Sequence, residues 1–222
     1  MISKNRKSSI AIIDLNVGNL FSIKNACDYC GLNSFISSSP DCISQSDAII
    51  IPGMGAFGDA MNVIESSELW DIIKEFNLAN KPILGICLGM QILMTYGTEF
   101  GYYKGLGFID GSVNRFQKPM LGNTSLKVPH IGWNKVIRRT MCSEKSKEYI
   151  LENLPMDVFM YFNHSYYVVP DSSNVVIATT SYGDITFSSI IKKKHIIGVQ
   201  FHPERSGKAG LALLQNFARM IE

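Results

Sequence analysis

Apolar residues in the first half of the chain come in short unbroken runs, separated by stretches where they recur every three or four positions. Ser9–Leu15 (SIAIIDL), Asn33–Ser37, Ala48–Pro52 and Pro82–Ile86 are the runs. Helical patterns cover Asn19–Cys30, Gly58–Ile64, Leu69–Ala79 and Leu88–Tyr96. Apolar strands separated by helices predict a parallel sheet covered on both faces. From Phe108 onward the pattern changes. Phe108–Phe116, Val158–Tyr161, Tyr166–Val169, Val175–Ser181, Ile185–Ile191 and His195–Phe201 read as strands lying close together. They predict antiparallel hairpins, one of them turning at Lys192–Lys194. Ala209–Ile221 closes the chain as a helix with Leu211, Leu214, Phe217 and Ile221 on one side. The expected fold is α/β: an open, mainly parallel sheet with flanking helices and an antiparallel extension. Residues 1–222 form one domain on this reading, with 1–8 as a flexible N-terminal extension.

Composition narrows the picture. The apolar share of 46% is enough for a sizeable core. The net charge is +2, and Lys and Arg are scattered rather than gathered in a stripe, which argues against a nucleic-acid surface. The Lys192–Lys194 run reads as a solvated turn. The basic segment Met1–Lys7 is followed by an apolar stretch that ends at Asp14, too short for a signal-peptide core. No stretch approaches the ~18 apolar residues that cross a bilayer. The expectation is a cytoplasmic protein with no membrane partner. Five cysteines, loosely spaced, suit a reducing compartment. Cys27 and Cys30 have metal spacing, but they fall late in a helical pattern with no second pair to complete a site. They read as helix cysteines, and no metal is expected.

The chemistry begins at Lys81–Gln91, KPILGICLGMQ. An apolar strand runs into Cys87, a helix starts at once with Leu88, and glycines stand two residues to either side, Gly85 and Gly89. This is the nucleophile-elbow pattern with cysteine in place of serine. The turn strains the backbone at the nucleophile, so its flanks must be tiny. The thiol then stands at the carboxyl edge of the sheet, where open α/β folds bind ligands, and the following helix favours thiolate. A buried structural cysteine between packing glycines is the competing reading.

A thiol enzyme needs a base. The stretch His195–Glu204, HIIGVQFHPE, delivers His202 to the end of an apolar strand. Glu204 lies two residues on, so an extended backbone points both side chains the same way, and Pro203 between them stiffens the geometry. A carboxylate beside an imidazole fixes its tautomer and stabilises the imidazolium.

Gly53–Gly58, GMGAFG, formally matches a dinucleotide fingerprint after a strand and before a helix. It follows the third strand rather than the first, and a lone match is weak. Its other use is to supply a backbone N–H from Gly53–Gly55 to an oxyanion, alongside the N–H of Leu88.

These residues resemble the class I (triad) glutamine amidotransferases. Within that family the chain is most similar to the glutaminase subunits of imidazole glycerol phosphate synthase. The similarity runs through AIIDLNVGNL, PGMGAFGDAM, KPILGICLGMQ, KGLGFIDGSVNRF, KVPHIGWN, YFNHSYYV and GVQFHPERSGKAG. The resemblance implies that Cys87 attacks the side-chain amide of L-glutamine, that His202 moves the proton to departing ammonia, and that Glu204 holds the imidazole. It implies a glutamine cradle from Gly53, Leu88, Gln91, His164, Ser165 and Tyr166, no cofactor, and an oxyanion strand at Met54–Gly55 that must reorient to become competent. It also implies a partner: a cyclase subunit with a (β/α)₈ barrel that receives the ammonia as a heterodimer in histidine biosynthesis and whose bound nucleotide switches the glutaminase on. Two departures bear on the acceptor. Leu15-Asn16 stands where the family has a Tyr-Gly pair, and Thr98–Lys104 is more similar to paralogues that feed ammonia to amination of a surface-polysaccharide sugar. That paralogous role is the alternative.

Overall fold

The computed structural model describes residues 8–16, 18–139 and 149–221. Five parallel strands form the half of the main sheet that carries the elbow: β1 (Ser9–Ile13), β2 (Asn33–Ser37), β3 (Ala48–Ile51), β4 (Ile83–Ile86) and, from far along the chain, β15 (Ile196–Val199). Helices α1 (Leu20–Tyr29), α2 (Pro40–Ser44), α3 (Phe57–Glu65) and α4 (Leu69–Leu78) connect the first four. Because β1, β3, β4 and β15 are covered on both sides, every residue in them is buried. Alternate residues feed two separate cores. Ala11, Ile13, Ile49, Ile51 and Ile83 pack with α3 and α4 on one face, while Ile10, Ile12, Ile50, Leu84 and Ile86 pack with α1 and the closing helix on the other.

The antiparallel extension continues the same sheet. β14 (Ile185–Lys193) pairs with β15, β13 (Val176–Tyr182) with β14, β10 (His130–Arg138) with β13, and β11 (Asp157–His164) forms the far edge. The hairpin between β14 and β15 turns at Lys194, whose φ is 56°. A second, four-stranded sheet holds β5 (Met94–Gly97), β6 (Tyr103–Lys104), β7 (Ile109–Arg115) and β12 (Tyr166–Pro170), and β8 (Met120–Leu121) pairs with β9 (Thr124–Ser125). The last helix, α6 (Gly207–Ala218), buries Leu214 and Phe217.

Short elements such as α2, β6, β8 and β9 have no counterpart in the sequence expectation, and two larger differences bear on the site. The helix expected over Leu88–Tyr96 stops as α5 (Leu88–Ile92), and Met94–Gly97 pairs as a strand instead. The carbonyls of Ile92, Leu93 and Met94 accept hydrogen bonds from the amides of Leu106, Gly107, Phe108 and Ile109 rather than from their own helix. β10 is a strand that the pattern along the chain does not predict. Its outward residues Ile131, Trp133 and Ile137 are apolar and exposed, while its inward ones include His130, so its polarity runs opposite to a half-buried strand. Residues 1–7 of the expected flexible extension lie outside the described residues. Ser8 does not: its hydroxyl donates to the Ile221 carbonyl at 3.3 Å.

Candidate active site

β4 ends at Ile86 and α5 starts at Leu88, so Cys87 alone makes the turn, at φ 54° and ψ −107°. A side chain in that region of backbone space costs on the order of 1–3 kcal/mol, sustained only where the surroundings over-determine it. Here they do. The Cys87 amide donates to the Val199 carbonyl at 2.8 Å, and its carbonyl accepts from Gln91 N at 3.2 Å. A Cβ on Gly85 would stand 2.5 Å from the Gly89 carbonyl oxygen, and one on Gly89 would stand 1.7 Å from that of Ile51. The elbow is therefore as tight as the sequence pattern requires. Since α5 is only five residues long, it offers the sulfur the amides of its first turn rather than the dipole of an extended helix.

His202 and Glu204 meet as predicted. Nδ1 of His202 lies 2.9 Å from Oε1 of Glu204, with both side chains 3% exposed. The carboxylate accepts, so Nδ1 carries the hydrogen and Nε2 is left to take a proton from the thiol. Burial disfavours the imidazolium, but Cys87 and Glu204 outweigh burial and raise the His202 pKa to about 10. Nε2 itself is buried with no hydrogen-bond partner at normal geometry. The Cys87 sulfur nonetheless lies close enough to raise the imidazole both by its charge and as a side-chain hydrogen-bond partner, a looseness of geometry expected before substrate binds. The loop is pinned from behind: His202 N donates to the Tyr161 carbonyl at 2.8 Å, and Ser206 Oγ donates to the His202 carbonyl at 2.6 Å while accepting from Tyr161 N at 2.9 Å.

The sulfur has two further neighbours that the sequence pattern does not single out. The thiol donates toward the Asn163 carbonyl at 3.8 Å, and Gln200 Nε2 donates to the sulfur at 3.7 Å. The Gln200 amide cannot be reversed. Its Oε1 accepts from Gln91 Nε2, which also donates to the Tyr166 carbonyl at 3.0 Å, and a carbonyl only accepts. Gln200 is fully buried. A polar residue inside the apolar run GVQF is the signal that could have found it.

A cavity of about 230 Å³ opens over the sulfur. Of the expected residues, Met54, Gly55, Leu88, Gln91, His164, Ser165 and Tyr166 line it with Cys87. Gly53 is set back, where a Cβ would stand 2.8 Å from that of Leu88. His202 and Glu204 are buried behind the sulfur rather than in the wall. Glu99 joins the wall unforeseen. Its Oε2 accepts from Phe57 N at 2.9 Å, in the first turn of α3. Burial pushes its carboxyl upward, opposed by that hydrogen bond and reinforced by Asp59. This also answers the dinucleotide reading of GMGAFG: the place at the start of α3 where a phosphate would sit is taken by a carboxylate. Nothing in the irregular Thr98–Lys104 stretch marks Glu99 in advance.

Two buried imidazoles stand at this wall, His164 in its lining and His130 paired with it across the strands. Burial lowers the pKa of His130 to about 4 and, with smaller opposing and reinforcing effects, that of His164 to about 3. Both are neutral in the folded protein and ordinary once unfolded. Such groups contribute stability above about pH 6.5 that is lost as the pH falls toward 4, because only the unfolded chain gains protons in that window. Each imidazole is worth ~2 kcal/mol between pH 7 and pH 5 by this linkage. Urea midpoints at the two pH values should show a marked fall at pH 5, and equal midpoints would contradict the assignment.

Cys27 sits on α1 as expected, and Cys30 caps the end of that helix. Burial raises both thiols, that of Cys27 to about 12, and the Cys30 sulfur donates to the Leu211 carbonyl at 3.6 Å. They pack; they are not poised to react. Among the described residues no group of three or more His, Cys, Asp or Glu could hold a metal ion.

The profile of the family described as "Glutamine amidotransferase class-I" matches residues 12–221. The "Imidazole glycerol phosphate synthase subunit HisH 1" of Legionella pneumophila (strain Lens) is 38% identical over 213 residues, covering 96% of this chain and 100% of that protein. The HisH subunit of Sulfurimonas denitrificans is 42% identical over 211 residues, covering 95% and 97%. Among solved structures, PurLQS from Thermotoga maritima matches with a TM-score of 0.75 at 16% identity, covering 98% of this chain and 100% of that one. A glutamine amidotransferase from the same organism matches with a TM-score of 0.57 at 13% identity, covering 97% and 84%. At those identities the two structures speak for the fold alone.

Proposed function

Because the chain belongs to the class I glutamine amidotransferase family, we propose that Cys87, His202 and Glu204 hydrolyse L-glutamine and that the ammonia passes to a partner subunit of imidazole glycerol phosphate synthase. The observation that carries this reading is the Cys87 elbow at the floor of a small polar cavity, with a buried His202–Glu204 pair acting on its sulfur. Cys87 gives its proton to His202, whose raised proton affinity holds it, and the sulfur attacks the side-chain amide carbon of glutamine. The N–H groups of Leu88 and of the Gly53–Gly55 strip receive the oxyanion, each such donor being worth ~10²–10³ in rate. The proton then goes to the departing amine, ammonia leaves, and water, deprotonated by His202, cleaves the thioester to glutamate. Glu99 is placed to meet the substrate's α-ammonium, and Gln91, Ser165 and Tyr166 to hold its other polar atoms. Met54, 38% exposed, and Gly55, at φ 118°, form the strip that would reorient.

A docking face lies beside the nucleophile. β10 and β11 expose Ile131, Trp133 and Phe159, each more than half accessible, and Ile131 pairs across the strands with Asn163, whose carbonyl meets the Cys87 thiol. Contiguous exposed apolar surface of this kind marks an interaction site. We assign it to the (β/α)₈ cyclase subunit of a heterodimer, since a sheltered path keeps ammonia from becoming ammonium in water. The relatives' shared name favours the histidine pathway over amination of a polysaccharide sugar. No described helix is long and apolar enough to cross a membrane. A cytoplasmic, single-domain protein is the reading that suits the free cysteines and the span of the family match.

Glutamine hydrolysis should be slow for the chain alone and rise by at least ~10²-fold with the same cell's cyclase barrel and its nucleotide ligand, the scale of an allosteric coupling of a few kcal/mol. A chain whose Cys87 reacts with a glutamine-analogue electrophile, yet which that barrel does not stimulate, would place its acceptor in another pathway.

A further inference from the structure

His130 and His164 face each other as a register pair across β10 and β11; His164 lines the cavity, and His130 is not among its lining residues. Their ring nitrogens belong to a chain of hydrogen bonds whose direction can be read from both ends. At the outer end, Asn134 Oδ1 accepts from Lys135 N at 2.7 Å, and its Nδ2 donates to the Ser181 carbonyl at 2.9 Å. The second hydrogen of that nitrogen points to His130 Nε2 at 3.2 Å, which must therefore be the bare nitrogen. The proton of neutral His130 is then on Nδ1, and it donates to His164 Nε2 at 3.1 Å. This leaves the His164 proton on Nδ1, 2.8 Å from the Tyr166 carbonyl. Starting from Tyr166 gives the same answer, because a carbonyl oxygen can only accept. Each contact has one donor and one acceptor, and reversing any one of them opposes two lone pairs or two hydrogens.

We infer that His130 is a positioning residue for the substrate: directed by Asn134, it holds His164 in the tautomer that donates to the Tyr166 carbonyl, and so fixes the Ser165–Tyr166 wall of the glutamine pocket. The rings cannot swivel to undo this. His130 stacks between Tyr182, at 4.1 Å, and Phe162, at 4.9 Å, and both imidazoles are buried. The Tyr166 carbonyl accepts from Gln91 as well, so its two lone pairs are both engaged by neighbouring side chains and the peptide is not free to rotate toward the ligand. A neutral pair suits this place, since an imidazolium beneath the wall would repel the substrate's ammonium.

The inference rests on the glutaminase reading, and one set of measurements separates the two. In histidine-labelled wild-type protein at pH 7, nitrogen NMR should find the proton of both His130 and His164 on Nδ1. A proton on Nε2 of either ring, or an imidazolium, overturns the inference without any variant. The substitution His130→Phe keeps the stacking and removes the donor. In the complex with the partner, it should raise the KM for glutamine roughly tenfold and leave kcat within about threefold, because binding is lost but the chemistry is not. His130→Gln, which restores a donor, should recover part of the KM. Unchanged KM in His130→Phe, or kcat falling as much as kcat/KM, overturns the inference. Wild-type protein whose Cys87 takes up no glutamine diazoketone would instead overturn the glutaminase reading.

Discussion

Replacing Cys87 with alanine should lower kcat for glutamine hydrolysis by ~10⁴–10⁶-fold while leaving glutamine bound. Removing the nucleophile of a triad forfeits covalent catalysis as a unit, with only the residual contribution of oxyanion donors and binding left behind. The geometry makes this loss complete. Among the described residues the sulfur is the only thiol lining the cavity; Cys27 lies on α1, Cys30 caps that helix, and Cys42 is exposed. His202 keeps its bond to Glu204 but loses one of the two groups that raise its proton affinity, so its pKa falls and no nucleophile remains for it to activate. The groups proposed to bind the substrate, Gln91, Glu99, Ser165 and Tyr166, have partners other than the sulfur or stand apart from it. The measurement is glutamate release by the variant in complex with its partner, with glutamine affinity by calorimetry beside it. Activity within tenfold of the parent would mean that another residue attacks the amide.

Gly89→Ala should be nearly as damaging, but through the fold. A methyl group at this position would lie 1.7 Å from the Ile51 carbonyl oxygen. That contact is backbone against backbone, so no side chain can move aside. Relief requires α5 to lift from β3, which would carry Leu88 away from its place beside Gly53 and release the strained Cys87 backbone. Overpacking usually costs about 1–3 kcal/mol where side chains can yield; here the expected loss is at the upper end or beyond, ~3–5 kcal/mol. Denaturant midpoints of the variant would show it, together with loss of Cys87 labelling by a glutamine-analogue electrophile. Gly55→Ala makes the contrast. No atom lies within 4 Å of that added carbon, so its effect is confined to the φ of 118° at that residue. Equal stability of Gly89→Ala and the parent would disprove the tight elbow.

Some of this is fixed locally and can be read along the chain. Runs such as AIII and ILGI are apolar on both faces, and only a doubly covered parallel strand can bury both. The glycines at 85 and 89 declare a turn that tolerates no side chain. His202 and Glu204 are two residues apart with proline between them, so their pairing needs only local geometry, and it is present at 2.9 Å. Other features depend on partners distant in sequence. The end of α5 is settled by amides of residues 106–109 competing for its carbonyls. β10 is hidden because its apolar side faces outward, a pattern that makes sense only when another surface covers it. Glu99 reaches the cavity by capping a helix 42 residues away, and Gln200 reaches the sulfur across 113. Which residues can carry the chemistry is therefore written in the order of the amino acids, because strain, reactivity and short spacing are properties of neighbours in the chain. How their protons are directed and what the substrate meets wait on the folded arrangement, because a hydrogen bond's direction is set by whichever donor or carbonyl the fold brings opposite.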